Sequence, residues 1–332
     1  MNIHGDKYCE SIKPVSYLKN LTELYLNVSS TACYDLAPLK GLTGLKKLEI
    51  ETAVYENLSV LGNMKNLQEL DITTGNGVDP SSIGKLKNLK KLKITIHDEA
   101  DMSFLGSLAK LESLHIHGNG TAKGLDVVTG LKGLKSLEID GLSYGQQDLS
   151  FVGKMTWLES LDISSSNTSF TKNIGNLKGL KQLTLMDINN SLEYDMSFIK
   201  KLTGLEELFI MGHLDMDITG ISKLKNLKKL SIVLSGFDDL SELKKCSSLE
   251  ELMIYHCSTE FDVSWIAGTN IKEVYFSGDI ENMDKLASLK KLEKITVDFT
   301  GISEDTVEKI KKALPDCRIE VYERGYEEYM VY

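Results

Sequence analysis

One pattern, φxxφxxφxφ with φ apolar, constrains this chain more than any other feature. "LKNLTELYL" (18–26), "LTGLKKLEI" (42–50), "MKNLQELDI" (64–72) and "LKNLKKLKI" (86–94) share one frame. It recurs as "LAKLESLHI", "LKGLKSLEI", "MTWLESLDI", "LKGLKQLTL", "LTGLEELFI", "LKNLKKLSI" and "CSSLEELMI", with weaker copies ending at Val274/Phe276, Ile295/Val297 and Ile319/Val321. That makes fourteen copies, spaced by 21 to 25 residues and most often by 22. A fixed period of this length is the mark of a stacked repeat architecture.

Each part of the pattern has a physical reading. The closing φxφ is a short strand with its apolar pair on one face. The preceding φxxφxxφ winds apolar groups inward around a coil. A single coil cannot bury its leucines; stacking on neighbours does. Each buried Leu or Ile contributes about 1.5–3 kcal/mol of transfer energy, largely offset by about 1–2 kcal/mol of backbone entropy per ordered residue.

In this the chain resembles the leucine-rich repeat family in its short, bacterial, internalin-like form, from about Cys9 to Tyr322. The resemblance implies an α/β solenoid, or horseshoe, with a concave parallel β-sheet and short helical or 3-10 turns on the convex side. It leaves the ligand open, because a fold hosts many functions. The usual family Asn, three residues after the last strand apolar, stands only at Asn119; elsewhere the position is Ser29, Ala53, Gly75, His97, Ser166, His213 or Ser235. An Asn ladder satisfies backbone groups in that turn, so its loss predicts irregular curvature.

Residues 1–300 read as the repeat array of about 12–13 coils, and 301–332 as a capping repeat followed by an acidic, Tyr-rich tail. In "GISEDTVEKIKKALPDCRIEVY" (301–322) Ser303 is the expected helix N-cap, Val307, Ile310 and Leu314 form an apolar face, and Pro315 ends the helix. No comparable cap is legible at the other end, where residues 1–8 are short and polar. "DMSFL" (101–105), "DLSFV" (148–152), "DMSFI" (195–199) and "DLSEL" (239–243) precede alternate strands. Asp101, Asp148, Asp195, Asp239 and Asp262 therefore read as caps of convex-side turns. The intervening coils carry Gly instead, which points to duplication of a two-coil unit. Phe104, Phe151, Phe198 and Trp265 follow the capping segment and read as packing between coils.

Among the 332 residues, 42% are apolar, four are proline, and the formal charge is −10. No run of about 18 apolar residues spans a membrane. "MNIHGDKYCESIKP" lacks the apolar stretch of a secretory signal, which leaves a cytoplasmic chain, or one made without its export signal, as the two expectations. The only arginines are Arg318 and Arg324, and the acidic excess argues against nucleic acid and for a basic partner. Five cysteines, without zinc-type spacing, do not form a disulfide scaffold. Cys246 replaces a repeat Leu, and Cys9 and Cys33 align on adjacent coils where two buried thiols are preferred to a bridge.

No phosphate loop, dinucleotide glycine run, zinc-protease helix or nucleophile elbow is present, so neither a catalytic role nor a cofactor is expected. His256 and Cys257 are neighbours that a strand would point opposite ways. In "LHIHG" (114–118), His115 and His117 face the concave side, with Glu138 and Asp140 beside them. His115, His117 and Asp140 form the candidate metal group, although open strand surfaces seldom fix tetrahedral geometry; a solvated polar face is the preferred reading.

Further along, the outward positions change character. Successive strands present Thr184 and Met186, Phe209 and Met211, Ser231 and Val233, Met253 and Tyr255, then Tyr275 and Ser277. Seven of these ten are apolar or aromatic: Met186, Phe209, Met211, Val233, Met253, Tyr255 and Tyr275. A contiguous patch of that size marks an interaction site. The expected function is thus a non-catalytic scaffold that binds a protein or peptide on its concave face, flanked by acidic Glu138, Asp140 and Asp162. It fits a surface adhesin module or an intracellular inhibitor or immunity protein for a basic enzyme, with the His115/His117 metal protein as the remaining alternative.

Overall fold

The computed structural model describes residues 1–5, 12–28, 36–54, 58–165, 170–188, 196–212, 219–234, 240–256, 261–278, 280–298 and 302–322. The chain divides into two compact units, Met1–Phe170 and Thr171–Tyr332. The Cys9–Cys33 pair, the Asp195 and Asp239 caps, Cys257 and the 323–332 tail lie outside the described residues.

In the first unit eight strands pair in parallel, each with the next in sequence: β1 (Asn2–Gly5), β2 (Glu23–Val28), β3 (Lys47–Val54), β4 (Glu69–Thr74), β5 (Lys91–Ile96), β6 (Ser113–Gly118), β7 (Ser136–Asp140) and β8 (Ser160–Ser164). The repeat frame sets the register. Leu48, Leu70, Leu92, Leu114, Leu137 and Leu161 stand opposite one another, and so do Ile50, Ile72, Ile94, Ile116, Ile139 and Ile163. All twelve are buried. A one-residue slip would turn both columns into water, so burial fixes the pairing.

In the second unit α1 (Thr171–Ile174) precedes seven parallel strands: β9 (Gln182–Ile188), β10 (Glu207–Gly212), β11 (Lys229–Leu234), β12 (Glu251–His256), β13 (Glu273–Ser277), β14 (Lys294–Asp298) and β15 (Arg318–Tyr322). Here Leu183, Leu208, Leu230, Leu252, Val274 and Ile295 form one buried column, and Leu185, Ile210, Ile232, Ile254, Phe276 and Val297 the other.

Between strands the chain returns through 3-10 turns such as Ser103–Ser107, Ser150–Lys154 and Ser241–Lys245. The Asp residues satisfy their free N–H groups as expected. The carboxylates of Asp101, Asp148 and Asp262 accept from the backbone N–H two residues on, at 2.9, 2.9 and 2.7 Å. Asp79 makes the same bond to Ser81 at 2.8 Å, in a coil the sequence assigns to the Gly type. At Gly84 the glycine has a steric basis. A Cβ there would lie 3.0 Å from the Ser107 Oγ and 3.1 Å from the Phe104 Cβ, so glycine makes room for the next coil. Phe151 and Phe198 are buried and Phe104 and Trp265 half-buried, in keeping with packing between coils.

The absent family Asn ladder is replaced elsewhere. In the φKNφ turns Asn66, Asn88 and Asn226, and at the matching place in Gly268–Ile271 Asn270, donate to carbonyls of the preceding coil, Thr43, Lys65, Thr203 and Ser247, at 2.8–3.3 Å. Their lysine neighbours Lys65, Lys87 and Lys225 reach forward to Lys85, Ser107 and Lys245 carbonyls at 3.1–3.3 Å. These three coils are thereby bonded in both directions, satisfying backbone acceptors that no strand uses.

At the end of the second unit α2 (Glu304–Ala313) starts at Ser303, whose hydroxyl accepts from Thr306 N–H at 3.3 Å. Ile310 is buried and Val307 and Leu314 half-buried, so the helix covers the last coil with the face the spacing predicts. The other end departs from expectation: Asn2–Gly5 forms a strand paired in register with Tyr25–Val28. It carries one apolar residue, Ile3, in place of the repeat pair, which is why the pattern misses it.

Candidate binding surfaces on the sheets

Because leucines and isoleucines turn in, the residues between them turn out. In the second unit one outward column runs Thr184, Phe209, Ser231, Met253, Tyr275 and Thr296; the next runs Met211, Val233, Tyr255, Ser277 and Asp298. Phe209, Met211, Val233, Met253, Tyr255 and Tyr275 are therefore contiguous. Each is half-buried by its cross-strand neighbours. Met186 is also half-buried, but it sits where the register of β9 and β10 shifts between Leu185 and Ile188, so it has no direct partner in the second column.

The aromatic end of this patch is built. The rings of Tyr255 and Tyr275 are 4.8 Å apart at 40°. Tyr255 Oη donates to Met253 Sδ at 3.8 Å, a weak sulfur contact, and Tyr275 Oη donates to Asp298 Oδ2 at 3.0 Å. Burial, and next the Asp298 carboxylate, push the Tyr275 phenol well above its ordinary value, so it is a fixed donor. Asp298 is a neighbour of the patch that the sequence does not single out; it ends a strand whose frame is weak. Toward the strand starts the border is charged, with Lys229 paired to Glu251 at 2.9 Å and Lys294 to Glu320 at 3.0 Å.

In the first unit the outward face is polar and paired. Lys91 meets Glu69 at 3.2 Å and Lys93 meets Asp71 at 3.6 Å. Beside them His115 stands opposite Lys93 on one side and Glu138 on the other, and Glu138 stands opposite Asp162. Asp140 lies between the two imidazoles. His115 Nε2 is 2.8 Å from Asp140 Oδ2 and 3.3 Å from Glu138 Oε1, and His117 Nδ1 bonds the other Asp140 oxygen. Burial raises the Asp140 carboxyl, but the hydrogen bonds from His115 and His117 outweigh it and hold the group below its ordinary value. Of the acidic flank, Glu138 and Asp140 are partners of the histidines. His97 is exposed and lies past the end of β5.

Cys246 is buried, with its thiol pointing at the Ile221 carbonyl at 3.5 Å; burial pushes it up to about 11, as suits a core residue rather than a nucleophile. No helix among the described residues is long and apolar enough to cross a membrane.

No protein-family model matches the chain, and no curated protein matches it. Among solved structures, an internalin (inlF) from Listeria monocytogenes is similar, with a TM-score of 0.65 at 18% identity over 89% of this chain and 84% of that one. A leucine-rich repeat protein of Leptospira interrogans aligns over 96% of this chain and 88% of that one at 19% identity, with a TM-score of 0.48. Internalin C2 of Listeria monocytogenes aligns over 63% of this chain and 80% of that one at 21% identity, with a TM-score of 0.43. In-register parallel strands, returning 3-10 turns and the first of these likenesses agree: the chain has the leucine-rich repeat fold in its short, internalin-like form.

Proposed function

We propose that this chain is a non-catalytic recognition scaffold that binds a protein or peptide on the sheet face turned away from its core. The observation that carries the reading is the register of the second unit. It sets Phe209, Met211, Val233, Met253, Tyr255 and Tyr275 side by side across four strands, with Met186 at their margin. Cross-strand pairing alone is worth about 0.2–1 kcal/mol per pair, and polar pairs such as Lys91–Glu69 serve that purpose in the first unit. An apolar centre with a charged border is the anatomy of a protein interface, and Met and Tyr are enriched at such centres. A rigid sheet lowers the ordering cost of binding. The charge of −10 favours a basic partner, the chemistry an inhibitor of a basic enzyme would use.

The test is capture by the immobilised full chain from an extract of its native cell, read by mass spectrometry. The Phe209→Asp, Tyr255→Asp double variant should keep the circular dichroism of the parent and lose the captured partner. Undiminished capture by the folded variant would remove the proposal.

A further inference from the structure

The geometry points to a divalent-metal site of zinc type in the first unit, held by His115, His117 and Asp140. The ligand atoms of these three side chains all lie within 4.8 Å of one another. In a tetrahedral zinc site with bonds of about 2.0–2.1 Å, ligand atoms sit roughly 3.4 Å apart. His115 Nε2 and Asp140 Oδ2 are already at 2.8 Å. Small side-chain rotations open the two histidine–aspartate contacts to that spacing, with the metal taking the place of the shared protons.

The backbone removes the usual objection to sites on an open sheet. His115 and His117 are two apart on β6 and flank Ile116, which is fully buried. Asp140 follows buried Ile139 on β7, the strand paired with β6. Three Cβ positions on two bonded strands make a fixed triangle rather than a line. The strand ends close on each other through glycine: Gly118 and Gly141 have φ of +122° and +72°, and a Cβ on Gly141 would lie 2.6 Å from the Gly118 carbonyl oxygen.

Charge favours a cation here. Glu138 Oε1, 3.3 Å from His115 Nε2, is placed as a fourth ligand. Asp162 stands opposite Glu138 on the next strand. The nearest lysine in register, Lys93, is drawn to Asp71 at 3.6 Å on the side away from the histidines. Imidazole plus carboxylate is a donor set that suits zinc and its neighbours in the first transition row. Half-burial of His115 and Asp140 limits competition from water.

Untagged full-length chain, stripped with a chelator, would be titrated with zinc chloride by calorimetry, with cobalt(II) visible absorption as the second readout. One ion should bind per chain. His117→Asn and Asp140→Asn should each weaken it by about tenfold or more and abolish the tetrahedral cobalt bands, while His97→Asn changes neither. Absence of stoichiometric binding, or equal binding and equal cobalt spectra in the folded His117→Asn and Asp140→Asn variants, would overturn the site. Loss of binding in His97→Asn would likewise overturn it by assigning the metal elsewhere.

Discussion

Ile210 and Met211 are neighbours on β10, yet one faces the core and the other faces out. Truncating each to alanine tests that alternation directly. Ile210 is fully buried between Leu185 and Ile232. Ile210→Ala removes buried carbons and leaves a cavity, at a cost of about 2–5 kcal/mol. Met211 is half-buried opposite Val233. Met211→Ala loses mainly a cross-strand contact of about 0.2–1 kcal/mol. Stability in a repeat array is a sum over coils and their interfaces, so the probe must be local. Of the two tryptophans, Trp265 lies in the second unit and Trp157 in the first. Urea unfolding followed by Trp265 fluorescence in a Trp157→Phe background isolates the second. With an m-value of about 3 kcal/mol/M, the midpoint should fall by about 1 M for Ile210→Ala and by less than about 0.3 M for Met211→Ala. Equal falls would refute the assignment of faces on which the binding surface rests.

Asp262 and Cys246 carry the other expected outcomes, one through a hydrogen bond and one through burial. Asp262 accepts from Ser264 N–H at 2.7 Å and from Asn282 Nδ2 at 2.9 Å, and the Ser264 backbone bond above all holds its carboxyl below the ordinary 3.8. Asp262→Ala should cost about 1 kcal/mol near neutral pH. Because the folded value is depressed, that contribution is complete above 3.8 and lost as pH falls through the folded value, so the parent and Asp262→Ala stability curves should converge in acid; curves that stay parallel would contradict the cap. For Cys246 the sign reverses: its folded value, about 11, lies above the ordinary 9.0, so its contribution is complete below 9.0 and fades as pH rises towards 11, a slope Cys246→Ala should lack. Native-state thiol labelling with peptide mapping should find Cys246 unmodified until the chain unfolds; rapid labelling would contradict its burial.

The parts of the fold written in side-chain period were legible in the sequence. Leu208 and Ile210 announce an inward pair, Ser303 announces a helix start, and Asp101 and Asp262 announce their turns. What resisted reading depends on partners about one coil away. Ile3 alone does not reveal that Asn2–Gly5 joins the sheet, because its pairing with Tyr25–Val28 is made by backbone groups common to every residue. Asn66, Asn88, Asn226 and Asn270 look like ordinary turn residues until their acceptors on the preceding coil are known. The outward parity of Met186 was readable, whereas the register shift that separates it from Met211 was not, since it arises from pairing between strands, within β9 between Leu185 and Ile188. His115, His117 and Asp140 were readable as neighbours. Their convergence on one point needed the spacing of β6 and β7 and the close approach allowed by Gly118 and Gly141.

The central claim is that the outward methionines and aromatics of the second unit are open to a partner. Brief hydrogen peroxide treatment of the free chain, followed by mass spectrometry of each methionine, measures this residue by residue. Met64, Met102 and Met155 are fully buried, whereas Met211 and Met253 are half-buried on the outer face. Met211 and Met253 should form sulfoxide well before those three core residues and become protected once a captured partner is added. Oxidation of Met211 and Met253 as slow as that of Met64 would mean the surface is already covered, and the recognition account would fail.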